Sequence, residues 1–537
     1  MTNGPYAAQQ QVITGKVEFA GRIVVLAIGL LLLSRNITSP FSGWREENSA
    51  TFSIFARNHI RYGLEYTKMF CTYGDAILPS TEPQRYLHHP PLVAIWAAIP
   101  MLIFGDHEWV SRLVPIATTL GSVWVLMIIV GRLQSPLLGL LTGFFYVMFP
   151  IIAYFGRVLC HESPVQFFSL LMLYGYLQWR GFYGDGYSRK SGAAYYLLGA
   201  ILGIGTGWAV AIMAGLIWLW HTYCCLRRRS SGWSLLLVTL ILGISISAVL
   251  LHIFWGSGWK VNYFVYLLVS RSLGTTQIMS WPEWFRLNWI WFTYNFSVFG
   301  LIAAVIYLLV ICTAWWFKKP LWFLKEIISD KVSVLPIFLT ALQGAIWLFV
   351  FKLQSGVHDY WQYFTAPFFA VVMAAVVIIT FNLLSKLSPL IAFWVVVAMV
   401  LLPVPFFAKS LDTIYNLEPR PGIRSMIASF KKLQQLVPRG VPVMTSEDYQ
   451  SSESFGNYSN RWTLPQAAYY ANRPLIYTTD INEIEANRQN CAAYILRATN
   501  DPNMYQLAQQ LDKKHRLVAA EGDYMNFLLN PPEKNAK

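Results

Sequence analysis

The chain alternates between long apolar runs and short polar turns. Runs near 19–34, 112–131, 136–153, 163–180, 193–225, 233–254, 290–316, 333–351, 362–381 and 389–407 stand out. A helix crosses a bilayer with about 20 apolar residues, so most of these runs predict spans. The 193–225 run is too long for one span and carries Gly203, Gly205 and Gly207 near its middle. It is expected to divide there into two helices, with the small residues serving a turn or close helix packing. They are not read as a nucleotide loop, because no strand precedes them. The apolar run 91–104 is short for a crossing and suits a helix in, or dipping into, the interface. The expected fold is an α-helical polytopic membrane protein with about 11 crossings plus interfacial helices.

The pattern changes from about residue 408. Val441–Thr445, Leu475–Thr478, Ala492–Leu496, Leu517–Ala520 and Met525–Leu529 read as strands, and 422–437, 463–472, 480–490 and 502–514 as helices. That alternation predicts a small C-terminal α/β domain. The organisation expected is therefore a membrane domain over 1–407, with a large first outer loop at 35–111, and an outer α/β domain over 408–537. The α/β part shows no Walker loop and no Ser nucleophile elbow, so its expected role is support or acceptor recognition.

Composition sharpens this picture. Only 13% of the 537 residues are charged and 55% are hydrophobic, whereas soluble domains carry about 25% charged residues. That excludes an ordinary soluble enzyme, a disordered chain and a collagen-like fibre. Aromatic residues make up 16%, including 22 Trp, as interfacial belts require. The formal net charge of +14 reads as basic inner loops and not as a nucleic-acid partner. Arg132, Arg180, Arg189–Lys190, Arg227–Arg229, Lys318–Lys319 and Lys386 then mark the cytoplasmic side. The N-terminus falls inside and the α/β domain outside. Six cysteines are too few and too scattered for a disulfide or zinc framework. The first apolar run lacks a small-residue cleavage site and reads as an anchor.

On this topology several polar clusters share the outer side: Glu46–Glu47, His88–His89, Arg157 with His161–Glu162, and His358–Asp359–Tyr360. Each alone also has a structural explanation: an acidic turn, a Pro-led helix start, a salt bridge between Arg157 and Glu162, or a capped turn. Their shared side points to a site, since ionisable groups near the membrane are functional candidates. A carboxylate such as Glu46 or Glu47 can take a proton from an attacking hydroxyl. The imidazoles of Tyr86-Leu-His-His-Pro-Pro91 can bind phosphate or donate to a leaving oxygen, and Arg157 can clamp a phosphate. His88, His89 and Glu162 are also candidate ligands for a divalent metal, although adjacent histidines are a weak signal. The long outer loop 255–289, with Lys260, Arg271 and Arg286 among aromatics, suits a lipid-phosphate cradle or an interfacial anchor.

Three ordered stretches carry a family resemblance: Asn48-Ser-Ala-Thr-Phe-Ser-Ile-Phe-Ala-Arg-Asn-His-Ile-Arg-Tyr-Gly63, Tyr86-Leu-His-His-Pro-Pro91 and His107-Glu-Trp-Val-Ser-Arg-Leu113. Together they resemble the outer-loop signature of GT-C membrane glycosyltransferases, in the branch of protein O-mannosyltransferases and lipid A aminoarabinose transferases (glycosyltransferase families 39 and 83). The resemblance implies transfer of a sugar from a polyprenyl-phosphate donor to an acceptor hydroxyl of a lipid, glycan or protein on the outer face. It implies inversion by direct displacement with a carboxylate base. Glu46–Glu47 matches the family's first-loop acidic pair, which is usually Asp-Glu. His88–His89 matches the site before the prolines, where some relatives carry a phosphate-binding lysine. Glu162 matches the second-loop acid. Taken with the outer-side clusters, the expectation is Glu46 or Glu47 as base, with His88, His89, Arg157 and Arg271 near the donor phosphate. Glu162, His358, Tyr360 and Arg57 support them. The resemblance also implies a bacterial plasma-membrane location. The alternative is a transporter or an envelope assembly scaffold. Span interiors almost free of charge speak against a transporter.

Overall fold

The computed structural model describes residues 5–72, 85–87, 89–184, 186–259, 265, 269, 279–316, 335–419, 421–447, 465–498 and 501–529. His88, Lys260 and Arg271 lie outside the described residues. The chain divides into two compact units. One is drawn from residues 1–37, 87–93 and 113–414, the other from 38–86, 94–112 and 415–537.

Helices dominate. In order they are α1 (Pro5–Leu33), α2 (Glu46–Thr67), α3 (Leu92–Phe104), α4 (Glu108–Leu133), α5 (Pro136–Met148), α6 (Pro150–Phe155) and α7 (Glu162–Trp179). Then come α8 (Arg189–Thr206), α9 (Trp208–Leu226), α10 (Gly232–Gly256), α11 (Trp281–Trp316), α12 (Leu335–Val350) and α13 (Lys352–Val357). A 3-10 turn, Asp359–Thr365, leads into α14 (Ala366–Leu384), followed by α15 (Pro389–Leu401) and α16 (Pro403–Asn416). Among the described residues 6 helical stretches are long and apolar enough to cross a bilayer: Glu108–Leu133, Trp208–Leu226, Gly232–Gly256, Trp281–Thr313, Asp359–Leu384 and Pro389–Asn416. Leu92–Phe104, Pro136–Met148 and Leu335–Val350 are shorter apolar helices. The molecule is a membrane protein.

Local chemistry explains where these helices start and stop. Ser135, Ser188, Ser231 and Ser388 each cap a helix, their side chains accepting from Leu138, Ser191, Ser234 and Ile391 N–H groups. All four stand at the basic turns, where the first-turn donors of a helix need a partner. The run 136–153 is not one helix. Pro150 has no N–H to continue the ladder, Phe149 turns extended, and α6 restarts at Pro150. The run beginning near 290 starts earlier, at Trp281, and kinks at Ser297 (φ 59).

The long 193–225 run divides as its glycines suggest. Gly207 is extended between α8 and α9, and a Cβ there would stand 2.5 Å from Val165 Cγ2. Added Cβ atoms at Gly203, Gly199 and Gly192 would meet Phe168 Cβ at 2.8 Å, Met172 N at 2.6 Å and Trp179 N at 2.4 Å. One at Gly175 would meet Tyr196 N at 2.2 Å. The α7–α8 pair therefore packs backbone against backbone along the length of α7, as small residues allow in lipid.

The second unit holds a five-stranded sheet of order β2-β1-β3-β5-β4. Its strands are β1 (Val443–Thr445), β2 (Leu475–Tyr477), β3 (Ala493–Arg497), β4 (Arg516–Glu521) and β5 (Tyr524–Leu528). β1 pairs in parallel with β2 and β3, and β5 pairs antiparallel with β3 and β4. Helices α17 (Ile423–Leu436) and α18 (Pro465–Ala471) cover one face, sharing a core with Phe41, Ala50 and Ile54 of the first loop. Helices α19 (Ile481–Asn487) and α20 (Pro502–Lys514) cover the other.

Overpacking of this kind costs about 1–3 kcal/mol. Gly199→Leu is expected to lower the thermal unfolding midpoint and the yield of monodisperse protein. Gly215→Ala, at a position with nothing within 4 Å, should leave both unchanged. Equal behaviour of the two variants in a thermal size-exclusion assay would refute the packed seam.

Candidate active site

Two carboxylates open α2. Arg45, in the left-handed region at φ 60, turns the chain so that Glu46 and Glu47 occupy the first helical turn. There the helix dipole favours negative charge. Glu46 is 1% exposed. Its Oε1 accepts from Arg112 Nη2 at 2.6 Å and its Oε2 from the Gly43 N–H at 3.0 Å. Arg112 also donates to Ser39 O at 2.6 Å and lies over the Phe41 ring. Glu46 is thus wholly engaged in a buried pair. Glu47 differs: its side chain keeps 27% exposure, with Arg45 Nη1 at 3.9 Å.

Arg57, on the same helix, is 6% exposed. It donates to Asp106 and to the Tyr469 carbonyl and lies over the Tyr469 ring at 4.5 Å. Tyr469 closes the loop by donating to Asp106 at 3.1 Å. Nearby, Tyr470 and Lys431 both donate to Glu108, and the Phe41 N–H donates to Tyr470. Arg57 therefore fastens the first loop to the α/β fold.

His59 is buried, its Nδ1 paired with Thr67 Oγ1 at 2.9 Å. Its Nε2 has no partner among the described residues. Burial pushes its pKa down from 6.5 to about 4, because the charged ring would lose its water.

The first unit gathers the remaining candidates. The His89 ring stacks on His161, centroids 4.4 Å apart, and His161 Nδ1 pairs with Thr206 O at 2.9 Å. Glu162, next along, begins α7 and is buried. Arg157 is 2% exposed, donates to the Arg35 carbonyl and lies over Tyr154. The salt bridge that the Arg157–Glu162 spacing suggested is not formed. Arg157 points back to the end of α1, while Glu162 accepts from the Cys160 thiol and leaves Oε2 without a partner among the described residues. His358 precedes the 3-10 turn without a side-chain cap bond, its ring beside those of Tyr360 and Trp361. Tyr360 packs on Phe155, 5.5 Å between centroids. Thr119 binds this region together, meeting Ser163 Oγ at 2.7 Å and the Tyr363 hydroxyl at 3.0 Å.

His89, Arg157, Glu162, His358 and Tyr360 thus belong to one unit, and Glu46, Glu47 and Arg57 to the other. Sequence reading placed Arg112 only within the His107–Leu113 stretch and gave it no role, although an arginine entering an apolar helix was its signal. It also overlooked Gln166, fully buried one turn beyond Glu162, with both amide atoms unpartnered among the described residues. Among the described residues no group of three or more His, Cys, Asp or Glu side chains gathers as metal ligands.

Residues 88–252 match the family model of dolichyl-phosphate-mannose-protein mannosyltransferases. No curated protein sequence matches the chain. Among solved structures, ArnT of Cupriavidus metallidurans bound to undecaprenyl phosphate is similar with a TM-score of 0.64 at 13% identity, covering 97% of this chain and 99% of that one. The oligosaccharyltransferase of Archaeoglobus fulgidus in its apo form is similar with a TM-score of 0.54 at 11% identity, covering 89% of this chain and 69% of that one. The chain has the fold of the GT-C membrane glycosyltransferases. Residues 88–252 resemble the dolichyl-phosphate-mannose-protein mannosyltransferases in sequence.

Breaking a buried ion pair by removing one partner costs about 3–5 kcal/mol. Arg112→Met should therefore destabilise the protein strongly in chemical unfolding, and more than Lys431→Ala, which removes a partly exposed pair worth at most about 1 kcal/mol. A smaller effect for Arg112→Met would count against the pair's structural weight. His59 gives a pH prediction. Its folded pKa is depressed, so protons favour the unfolded chain. The stability it contributes is complete above about pH 6.5 and falls as pH drops towards 4, by up to roughly 3 kcal/mol. His59→Gln should flatten the acid limb of a stability–pH curve, and an unchanged slope would contradict this.

Proposed function

We propose that this chain transfers a sugar from a polyprenyl-phosphate-linked donor to an acceptor hydroxyl of a lipid, glycan or protein, on the outer face of a membrane. The observation that carries the reading is the division of labour at the head of α2. Glu46 spends both oxygens on Arg112 and the Gly43 N–H. Glu47, beside it, keeps solvent access. A base must touch the acceptor, and Glu47 meets that requirement while Glu46 and Arg112 hold its helix in place.

In the reaction, Glu47 takes the acceptor's proton as the acceptor oxygen attacks the anomeric carbon. The carbon–oxygen bond to phosphate breaks on the opposite side, and the polyprenyl phosphate leaves with the bonding pair. The configuration inverts. Negative charge grows on the departing phosphate, where His89, Arg157 and the undescribed His88 and Arg271 supply cations and donors. Likeness to ArnT, a structure that holds undecaprenyl phosphate, supports a lipid-phosphate donor here. Nucleotide sugars are cytoplasmic, so an outward site calls for such a carrier. This reading sets the N-terminus in the cytoplasm and the α/β domain outside, as in a bacterial plasma membrane.

Comparing envelope lipids and glycoproteins by mass spectrometry, with and without the chain, should reveal one lost glycoform. Glu47→Gln should abolish that glycoform, lowering transfer about 100-fold or more, without lowering the amount of folded protein. Full transfer by Glu47→Gln would rule out this base.

A further inference from the structure

The turn joining α9 to α10 concentrates positive charge. Arg227, Arg228 and Arg229 follow one another directly after α9, with Arg228 in the left-handed region at φ 55. The backbone is fixed by N–H bonds from Arg227 to Tyr223 O, from Arg228 to Cys225 O and from Arg229 to Cys224 O. Arg180, from the end of α7, reaches into the same turn. Its Nη2 donates to Ser230 Oγ at 2.5 Å and to Arg229 O at 3.3 Å. Four arginines therefore belong to one turn, with Arg227 over the Tyr223 ring and Arg180 over the Trp179 ring, and none has a carboxylate partner among the described residues. Like charges concentrated in one turn repel, and a bound anion relieves the repulsion.

The surface running from that turn is apolar. Trp233 is 82% exposed. Leu236, Leu237, Leu240 and Ile244 continue from it along one face of α10, all exposed. Their spacing is that of a single helical stripe. Cations at the head of an apolar stripe match one kind of molecule, with an anionic head and a hydrocarbon tail.

We propose that the α9–α10 turn, completed by Arg180, is a binding site for an anionic phospholipid. The head-group phosphate lies among Arg180, Arg228 and Arg229, and an acyl chain lies along Trp233, Leu236, Leu237, Leu240 and Ile244. Guanidinium groups suit a phosphate because their planar N–H pairs match its oxygens. Basic pockets at the ends of membrane helices hold anionic head groups by the same chemistry. The site does not depend on sugar transfer, and its test reads lipid alone.

The full-length protein, purified in detergent and monodisperse, is exposed to micelles containing phosphatidylglycerol or phosphatidylcholine. Retained lipid is counted by native mass spectrometry. The unchanged protein should retain phosphatidylglycerol at least about tenfold over phosphatidylcholine. The triple change Arg227→Gln, Arg228→Gln, Arg229→Gln should remove that preference. Replacing the same three by lysine should keep most of it. Arg229→Gln alone, which leaves the turn's backbone bonds intact, should weaken it several-fold and guards against misfolding of the triple variant. Arg189→Gln with Lys190→Gln removes two cations elsewhere and should keep it. No preference in the unchanged protein, or equal loss in the Arg189–Lys190 variant, would overturn the site. So would a stable dimer in which a second copy covers the turn.

Discussion

Lipid offers no hydrogen bonds, and that constraint orders the whole membrane unit. Every backbone group in a span must be satisfied within its own helix, so irregular backbone is confined to a few positions. Among the described residues they include Phe149–Pro150, Gly207, Ser297 and the 3-10 turn at Asp359–Thr365. The 3-10 turn carries Tyr360 onto Phe155, in the helix that restarts at Pro150, and Gly207 follows Thr206, whose carbonyl accepts from His161 Nδ1. The departures from regular helix thus accompany the polar groups. They let side chains from distant parts of the chain meet where uninterrupted helices would carry them past one another.

The same economy governs the second unit. A small set of its polar and charged groups holds the first loop against the α/β fold. Arg57, Asp106, Glu108, Lys431 and the two tyrosines Tyr469 and Tyr470 form one connected set. A buried pair such as Glu46–Arg112 is a weak source of net stability, because both ions lose their water. What it provides is position, since either ion would be intolerable there alone. That explains how one of two adjacent glutamates is immobilised while the other stays within reach of solvent.

Much of the fold was legible because hydropathy and turn chemistry are local signals. The apolar runs, the division at Gly207 and the alternation beyond 408 each reflect a few neighbouring residues. Helix ends were harder, since Pro150 and Ser297 interrupt runs whose hydropathy is continuous. The candidate site was readable only as a set of residue types on one predicted side. Which groups pair depends on contacts far apart in sequence. Arg112 looked like part of a motif and emerges as the clamp of Glu46. Arg157 and Glu162 looked like partners and turn to different neighbours. The stacking of His89 on His161 had no local signal at all.

The glycine seam between α7 and α8 has a consequence for traffic. Where two helices touch at backbone distance along their length, no acyl chain can be admitted between them. That side of the bundle is a sealed wall. A long-chain lipid bound for His161 and Glu162, at the head of α7, has to enter by another flank. Five glycines with no functional group of their own would then decide the direction from which a long-chain lipid can arrive.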